Sequence, residues 1–237
     1  MRKKLGVILY VIALMSLFII LQYDFKEDDA TKMQSLPLSG KVIVLDPGHG
    51  GPDPGAVKGE GIEKDIALNV SLMLRDYLQQ QGALVLMTRE IDTDLAGEDV
   101  KGYSRRKVED LKKRLEIIND SEADFFASIH LNAIPSSRWK GAQTFYSGHL
   151  KESKRGAKFI QEELRRNLEN TNREAKTSND IYILKNSEIP GVLVEIGFLS
   201  NPTERELLRQ DAYQEQVAAS IYQGIIRYYT NERKILE

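Results

Sequence analysis

The stretch Lys41-Val-Ile-Val-Leu-Asp-Pro-Gly-His-Gly-Gly51 combines a strand pattern with a glycine-rich turn. Residues 41–46 form an apolar, β-branched run that predicts a short buried strand, which ends at the Pro-Gly pair. The glycine-rich turn then delivers His49 at the carboxyl end of that strand, the edge at which open α/β sheets bind ligands. The turn has neither a Gly-Lys-Ser/Thr nor a GxGxxG pattern, which argues against a phosphate-binding loop.

Strand and helix patterns alternate along the rest of the chain. Further strands are predicted at residues 83–88, 124–129, 143–146 and 192–196, with a shorter one near 181–184. An amphipathic helix ends at Gly82, and its apolar stripe consists of Ile66, Val70, Met73, Leu74, Tyr77 and Leu78. Other helices are predicted at residues 104–119, with Val108, Leu111, Leu115 and Ile118 inward, and at 152–168 and 212–229. The alternation predicts a three-layer α/β sandwich, in which helices cover both faces of a mostly parallel or mixed central sheet of about six strands.

Composition limits the class of protein. The 237 residues carry 33 Lys and Arg against 35 Asp and Glu, and this net charge of −2 argues against a disordered chain and against a nucleic-acid partner. The chain has no Cys, so any metal must be held by His, Asp or Glu. There are only three histidines, and each is therefore informative. His149 has no strand context, and we interpret it as a surface residue.

The chain opens with an export segment. Three basic residues precede a charge-free apolar run over residues 5–21, and an acidic flank follows it. The basic end is expected in the cytoplasm and the rest of the chain outside. No small-residue cleavage pattern follows, which favours an uncleaved anchor within residues 1–24 on the outer face of the cytoplasmic membrane over a removed signal peptide and a secreted protein. A linker over 25–40, a globular domain over 41–230 and a polar tail over 231–237 complete the predicted organisation.

A second histidine has the same predicted position as His49. His130 follows the strand at residues 124–129, so both imidazoles are expected at strand ends on one edge of the sheet. A histidine pair needs one carboxylate and a water to make a tetrahedral catalytic zinc site. Glu63, which opens the helix after the His49 turn, can supply the carboxylate. The alternative for Glu63 is a favourable charge at a helix N-terminus.

Glu195 lies within an otherwise apolar strand, where a carboxylate is costly unless it is paired or functional. Burial would raise its pKa toward neutrality, which suits a general base. The alternative is a salt bridge to Arg89 or Arg114.

A long acidic stretch at residues 91–102 is expected to form a surface loop near the site. Such a loop either contacts the substrate or a partner, or it is a solvated insertion without a function of its own.

Four motifs, in this order, resemble the zinc-dependent N-acetylmuramoyl-L-alanine amidases of the Amidase_3 family. They are Val44-Leu-Asp-Pro-Gly-His-Gly-Gly51, Glu63-Lys-Asp65, Ser128-Ile-His-Leu-Asn-Ala133 and Val194-Glu-Ile-Gly-Phe-Leu-Ser-Asn-Pro202. The resemblance implies that residues 41–230 are the zinc amidase domain, with His49, Glu63 and His130 as Zn²⁺ ligands and Glu195 as the catalytic residue. The export segment, the lack of a wall-binding repeat and the stretch Lys101-Gly-Tyr-Ser-Arg-Arg-Lys107 resemble the germination-specific amidases of spore-forming Bacillus-like bacteria.

The resemblance implies a reaction and its setting. The substrate would be peptidoglycan, and the bond cut would join N-acetylmuramic acid to L-alanine of the stem peptide, in spore cortex maturation leading to muramic δ-lactam. The membrane and an unidentified activating protein are the other expected partners, and Arg89 and Arg114 either bind stem-peptide carboxylates or pair with acidic residues. Two other functions stay open: a zinc carboxypeptidase acting on stem peptides, and a catalytically silent wall-binding protein.

Overall fold

The computed structural model describes residues 11–18 and 36–230. Residues 11–18, within the predicted export segment, are helical (α1). No helix among these described residues combines the length and the apolar character needed to cross a membrane. The remainder of that segment, most of the predicted linker and the tail at 231–237 lie outside the described residues.

A mixed sheet forms the centre of the second compact unit, which begins at Pro37. The strands are β1 (Val42–Pro47), β2 (Val57–Lys58), β3 (Gly61–Ile62), β4 (Leu84–Met87), β5 (Phe125–Asn132), β6 (Gln143–Tyr146), β7 (Lys176–Thr177) and β8 (Gly191–Phe198). The helices of this unit are α2 (Glu63–Gln80), α3 (Tyr103–Asp120), α4 (Lys151–Leu168), α5 (Tyr182–Asn186), α6 (Pro202–Leu208) and α7 (Asp211–Tyr229). Six of these strands pair in the order β4-β1-β5-β8-β6-β7. Strands β6 and β8 are antiparallel, and the other neighbouring pairs of this sheet are parallel. Strands β2 and β3 form a separate antiparallel hairpin.

The two faces of the sheet are covered by different helices, because successive side chains of a strand point to opposite faces. One face packs against α2, α4 and α7 in the larger core, to which β5 contributes Phe125, Ala127, Ile129 and Leu131. The other face packs against α3 and α5 in a smaller core, which includes Val44, Phe126, Leu193 and Ile118. The predicted three-layer α/β architecture with a mixed six-stranded sheet is confirmed.

Most predicted elements lie within a few residues of their observed bounds, but the short strand predicted near residues 181–184 is wrong. This segment begins helix α5, in which the Lys185 N–H donates to the Ile181 carbonyl at 2.9 Å. The neighbours Ile183 and Leu184 are both buried in the smaller core. A strand would have sent two consecutive side chains to opposite faces, whereas one helical turn buries both on the same side.

The inward face of α3 also differs from its prediction. Val108 was expected to be buried, but it is 54% exposed. The buried residues of this helix are Asp110, Arg114 and Ile118, whose spacing of four places them on one stripe. Hydrophobic periodicity therefore misplaced the inward face by part of a turn, because two charged residues are buried against the sheet.

Candidate metal centre

The face of the sheet that packs against α3 changes from apolar to polar toward the carboxyl ends of the parallel strands. Alternate residues on this face are Val44 and Asp46 in β1, Phe126, Ser128 and His130 in β5, and Leu193 and Glu195 in β8. The strand register pairs Asp46 with Ser128, and His130 with Glu195. The fold thus gathers polar side chains at one end of one face, at the edge predicted for a site.

Three of the predicted residues meet at this edge. Candidate ligand atoms of His49, Glu63 and His130 all lie within 4.8 Å of one another. The Oε1 atom of Glu63 is 3.2 Å from Nε2 of His49 and 3.0 Å from Nδ1 of His130. Two imidazoles and a carboxylate form a donor set that suits a divalent transition metal, so the residues present fit the ion that the motifs predict.

Backbone amides hold the Glu63 carboxylate between the two imidazoles. Its Oε2 accepts a hydrogen bond from the Ala56 N–H at 2.7 Å, and its Oε1 accepts one from the Leu131 N–H at 2.9 Å. Burial would raise the pKa of Glu63, but its contacts with the two histidines hold that pKa well below its usual range. The carboxylate is therefore ionised and fixed in place, as a metal ligand requires.

Two glycines allow the backbone to approach the ligands closely. A Cβ atom at Gly48 would lie 2.4 Å from the His130 ring. A Cβ atom at Gly55 would lie 2.6 Å from both Oε2 of Glu63 and Cδ2 of His49. Larger residues at either position would displace a candidate ligand, which explains the glycines at these two positions.

His49 has a left-handed backbone conformation, with φ at 61°. Non-glycine residues adopt this region at a cost, so surrounding contacts must hold it. Arg114 donates to the His49 carbonyl at 2.5 Å and to the Pro47 carbonyl at 2.7 Å. Arg89 donates to the carbonyls of Pro47 and Gly48 at 3.1 and 2.8 Å. Two arginines therefore fix the backbone of the turn that presents His49.

Arg114 also belongs to a buried ionic network beneath the turn. Its guanidinium pairs with Asp46 at 2.8 Å and with Asp110 at 2.7 Å. Asp46 accepts further hydrogen bonds from Thr88 at 2.7 Å and from Ser128 at 2.6 Å. Burial would raise the pKa of Asp46, but Arg114 and these hydroxyls lower it. Neither Arg89 nor Arg114 pairs with Glu195, so the salt bridge considered for Glu195 is wrong.

Glu195 is next to His130 in the sheet, and it has a carboxylate oxygen without a partner. Its Oε2 is buried and accepts no hydrogen bond from the described residues. Burial raises the pKa of Glu195 to about 7; the charge of Glu63 adds to the rise, whereas His130 and His49 oppose it. A carboxylate with a free oxygen and a near-neutral pKa can exchange protons with a water or a substrate beside the three candidate ligands.

Sequence reasoning missed Asp53. Its Oδ2 lies 2.8 Å from Nδ1 of His49, so it orients the imidazole from behind and leaves Nε2 facing Glu63. Burial acts to lower the pKa of His49, but hydrogen bonds with Glu63 and Asp53 raise it. In the sequence, the only hint of this contact is that Asp53 stands four residues after His49 in the same turn. This hint is weak, because an irregular loop has no periodic pattern that links two of its residues.

The other residues singled out in the sequence have simpler roles. His149 is exposed, and its ring contacts the Ser147 hydroxyl and the Ser187 carbonyl. The 91–102 loop lies against the His49 turn, where Asp92 accepts from the Gly51 N–H at 2.8 Å and pairs with Lys64 at 2.6 Å. Asp94 pairs with Arg106 at 2.6 Å. Asp92 and Asp94 therefore hold the loop against the rest of the domain.

The chain matches one protein family over most of its length. Residues 43–227 match the family model described as N-acetylmuramoyl-L-alanine amidase. The germination-specific N-acetylmuramoyl-L-alanine amidase of Bacillus subtilis (strain 168) is 57% identical over 232 residues, which cover 98% of this chain and 98% of that protein. The amidase LytC of the same organism is 35% identical over 195 residues, which cover 81% of this chain and 36% of LytC.

Solved structures agree with the sequence relatives. The CwlD amidase from Clostridioides difficile, in complex with the GerS lipoprotein, matches with a TM-score of 0.78 and 48% identity over 79% of this chain and 98% of that one. An N-acetylmuramoyl-L-alanine amidase from Clostridium difficile 630 matches with a TM-score of 0.71 and 30% identity over 81% of this chain and 98% of that one. The chain therefore belongs to the N-acetylmuramoyl-L-alanine amidase family of enzymes, the Amidase_3 family.

Proposed function

We propose that this chain is a zinc-dependent enzyme that hydrolyses the amide between the lactyl carboxyl of N-acetylmuramic acid and L-alanine of the peptidoglycan stem peptide. The observation that carries the proposal is the convergence of His49, Glu63 and His130 beside the unpartnered oxygen of Glu195. Membership of the amidase family supports the substrate class.

Each residue has a distinct role in this proposal. His49 and His130 would hold the ion through imidazole nitrogens and Glu63 through its carboxylate, a His₂Glu set that leaves room for water. A zinc ion bound there would supply Lewis-acid chemistry, which lowers the pKa of water and polarises an amide carbonyl. Asp53 keeps the proton of His49 on Nδ1, because a carboxylate can only accept a hydrogen bond.

Glu195 moves the proton that the reaction requires. Its free oxygen takes a proton from the attacking water while the water oxygen bonds to the amide carbon. The same carboxyl group then gives that proton to the alanine nitrogen as the carbon–nitrogen bond breaks. The products are the free lactyl carboxylate on the glycan and a stem peptide that begins with an L-alanine amine. No covalent bond to the enzyme is formed.

Product analysis tests the proposal. Purified protein with Zn²⁺ is incubated with glycan that carries stem peptides, and the products are identified by mass spectrometry. Release of intact stem peptides beginning with L-alanine is expected. Release of D-alanine alone would instead identify a carboxypeptidase. An inactive protein that still binds the wall would support the wall-binding alternative.

Variants separate proton transfer from metal binding. Glu195→Gln keeps the shape of the side chain but cannot take a proton, so turnover should fall by about 10²- to 10⁴-fold with zinc content unchanged. The exposed Glu188→Gln is the matched control and should keep full activity. Zinc loss in Glu195→Gln would mean that Glu195 is a metal ligand, and wild-type turnover would remove it from the mechanism.

Substitution of the ligands should abolish zinc binding and activity together. His49→Ala, Glu63→Ala and His130→Ala each remove one of three proposed donors, and elemental analysis of the purified variants should show little zinc. His149→Ala is the matched control, since it removes the remaining histidine outside the site. Stoichiometric zinc in any of the three ligand variants would contradict the assignment of that residue.

The biological setting extends the proposal. The relative from B. subtilis is germination-specific, which supports a role in spore cortex maturation, where stripped muramic acid is the precursor of muramic δ-lactam. The C. difficile relative is in complex with a lipoprotein, which supports a lipoprotein partner on the outer face of the membrane. We further propose that residues 5–21 anchor the enzyme there. Recovery from cells of only a soluble form that begins near residues 24–34 would show a cleaved signal instead.

A further inference from the structure

Behind His49 lies a group of three side chains, Asp53, Tyr103 and Lys107, and the proposed reaction gives no part to Tyr103 and Lys107. The Tyr103 hydroxyl donates to Oδ1 of Asp53 at 2.8 Å. The Lys107 ammonium lies 3.0 Å from Oδ2, the oxygen that contacts His49. Each carboxylate oxygen of Asp53 therefore has one partner from helix α3.

The group joins the surface of the protein to a candidate metal ligand. Asp53 is 8% exposed, whereas Tyr103 is 50% exposed and the Lys107 side chain 41%. Tyr103 and Lys107 are four residues apart, on one face of the first two turns of α3, and the ammonium lies 6.0 Å from the centre of the tyrosine ring. Two exposed side chains thus reach inward to one buried carboxylate.

The hydrogen bond at the second nitrogen of a histidine ligand sets the orientation and basicity of the ring, and its loss typically lowers metal affinity by about 10- to 100-fold. Asp53 provides that bond to His49. Because Tyr103 and Lys107 each contact one oxygen of Asp53, the position of this acceptor depends in part on α3.

We propose that Tyr103 and Lys107 are positioning residues of the metal centre: they fix Asp53 against His49 and so set the zinc affinity of the site from the exposed start of α3. Both residues belong to the 101–107 stretch that the sequence singles out. The inference rests on the proposed function, because it requires that the three candidate ligands bind zinc.

The test measures zinc affinity in the full chain by competition with a chromophoric chelator, with Zn²⁺ alone as the probe. Tyr103→Phe and Lys107→Met should each weaken zinc binding by about 3- to 10-fold, and Asp53→Asn by about 10- to 100-fold. In the Asp53→Asn background, Tyr103→Phe should add little, since both act through the same carboxylate. Lys107→Arg should keep most of the affinity.

The controls separate positioning from a general loss of stability. Arg105→Met removes one exposed charge from the same turns of α3 and should leave zinc affinity unchanged. The thermal midpoint of the metal-free Tyr103→Phe protein should stay near that of the wild type, because only a hydroxyl is removed. A lower midpoint accompanied by unchanged zinc affinity would overturn the inference.

Other outcomes are equally decisive. Wild-type zinc affinity in both Tyr103→Phe and Lys107→Met would overturn this inference and leave the proposed function standing. A raised KM in Lys107→Met at unchanged zinc affinity would assign Lys107 to substrate binding and would also overturn it. A wild-type protein that binds no zinc would overturn the proposed function and this inference together.

Discussion

The two faces of the central sheet are built from different chemistry. On the face under α2, α4 and α7, the alternate residues of β5 are all apolar: Phe125, Ala127, Ile129 and Leu131. On the face under α3 and α5, the same strand passes from Phe126 to Ser128 and then to His130. One strand therefore supplies the main core on one side and the candidate metal centre on the other.

Stability and the candidate site are combined on only one of the two faces. We expect that the loss of one contact in the larger core leaves the geometry of the site unchanged. On the other face, the Asp46–Arg114–Asp110 network lies directly beneath the His49 turn, and Arg114 also holds two carbonyls of that turn. Burial of such charges gives little net stability, but it fixes the backbone that presents His49, a candidate ligand.

The largest effect on stability is expected at Arg114. Arg114→Met keeps much of the volume but leaves Asp46 and Asp110 buried without their cation, which should cost about 3 to 5 kcal/mol of unfolding free energy. Zinc affinity should fall as well, since two carbonyls of the His49 turn lose their donor. Urea unfolding and chelator competition measure the two effects.

Arg138→Met provides the matched control, because Arg138 is exposed. Its unfolding free energy should stay within about 0.5 kcal/mol of the wild type. An Arg114→Met protein that is as stable as this control would mean that the network contributes nothing to the fold.

A somewhat smaller effect is expected on the apolar face. Ile221 of α7 is fully buried in the larger core, and Ile221→Ala should cost about 3 kcal/mol through lost burial and the resulting cavity. The folded variant should keep the zinc affinity of the wild type. Weakened zinc binding in this variant would show that the two faces are not independent.

Asp46 should make stability depend on pH. Because the folded state lowers its pKa, its contribution is complete above the unfolded value of about 3.9 and is lost as the pH falls through the lower folded value. Asp46→Asn should cost about 1 to 3 kcal/mol near pH 7, since Arg114 loses a charged partner. In urea unfolding between pH 2 and pH 7, the difference between variant and wild type should shrink at the acid end. A difference that is constant with pH would contradict this assignment.

Much of the architecture could be predicted from the sequence, because buried strands and amphipathic helices leave periodic patterns. The two histidines at strand ends and the lone carboxylate in an apolar strand were visible for the same reason, and the structure brings His49, His130 and Glu195 to one edge. Asp53 and its contacts with α3 were not visible. They join a loop to residues some fifty positions away, and such contacts depend on tertiary packing that no local pattern encodes.

The inward face of α3 also depends on tertiary packing, which is why its apolar pattern did not predict it. A substitution in this apolar stripe is expected to have the smallest effect on stability. The pattern that put Val108 inward would predict a clear loss of stability on substitution, whereas the structure leaves it 54% exposed. Val108→Ser should therefore change the unfolding free energy by no more than about 0.5 kcal/mol. Ile118 of the same helix is fully buried, and Ile118→Ala should cost about 2 kcal/mol or more. Equal losses of unfolding free energy at the two positions would show that α3 presents its apolar stripe to the sheet. The two faces of the sheet would then differ less in chemistry than the buried charges of α3 imply.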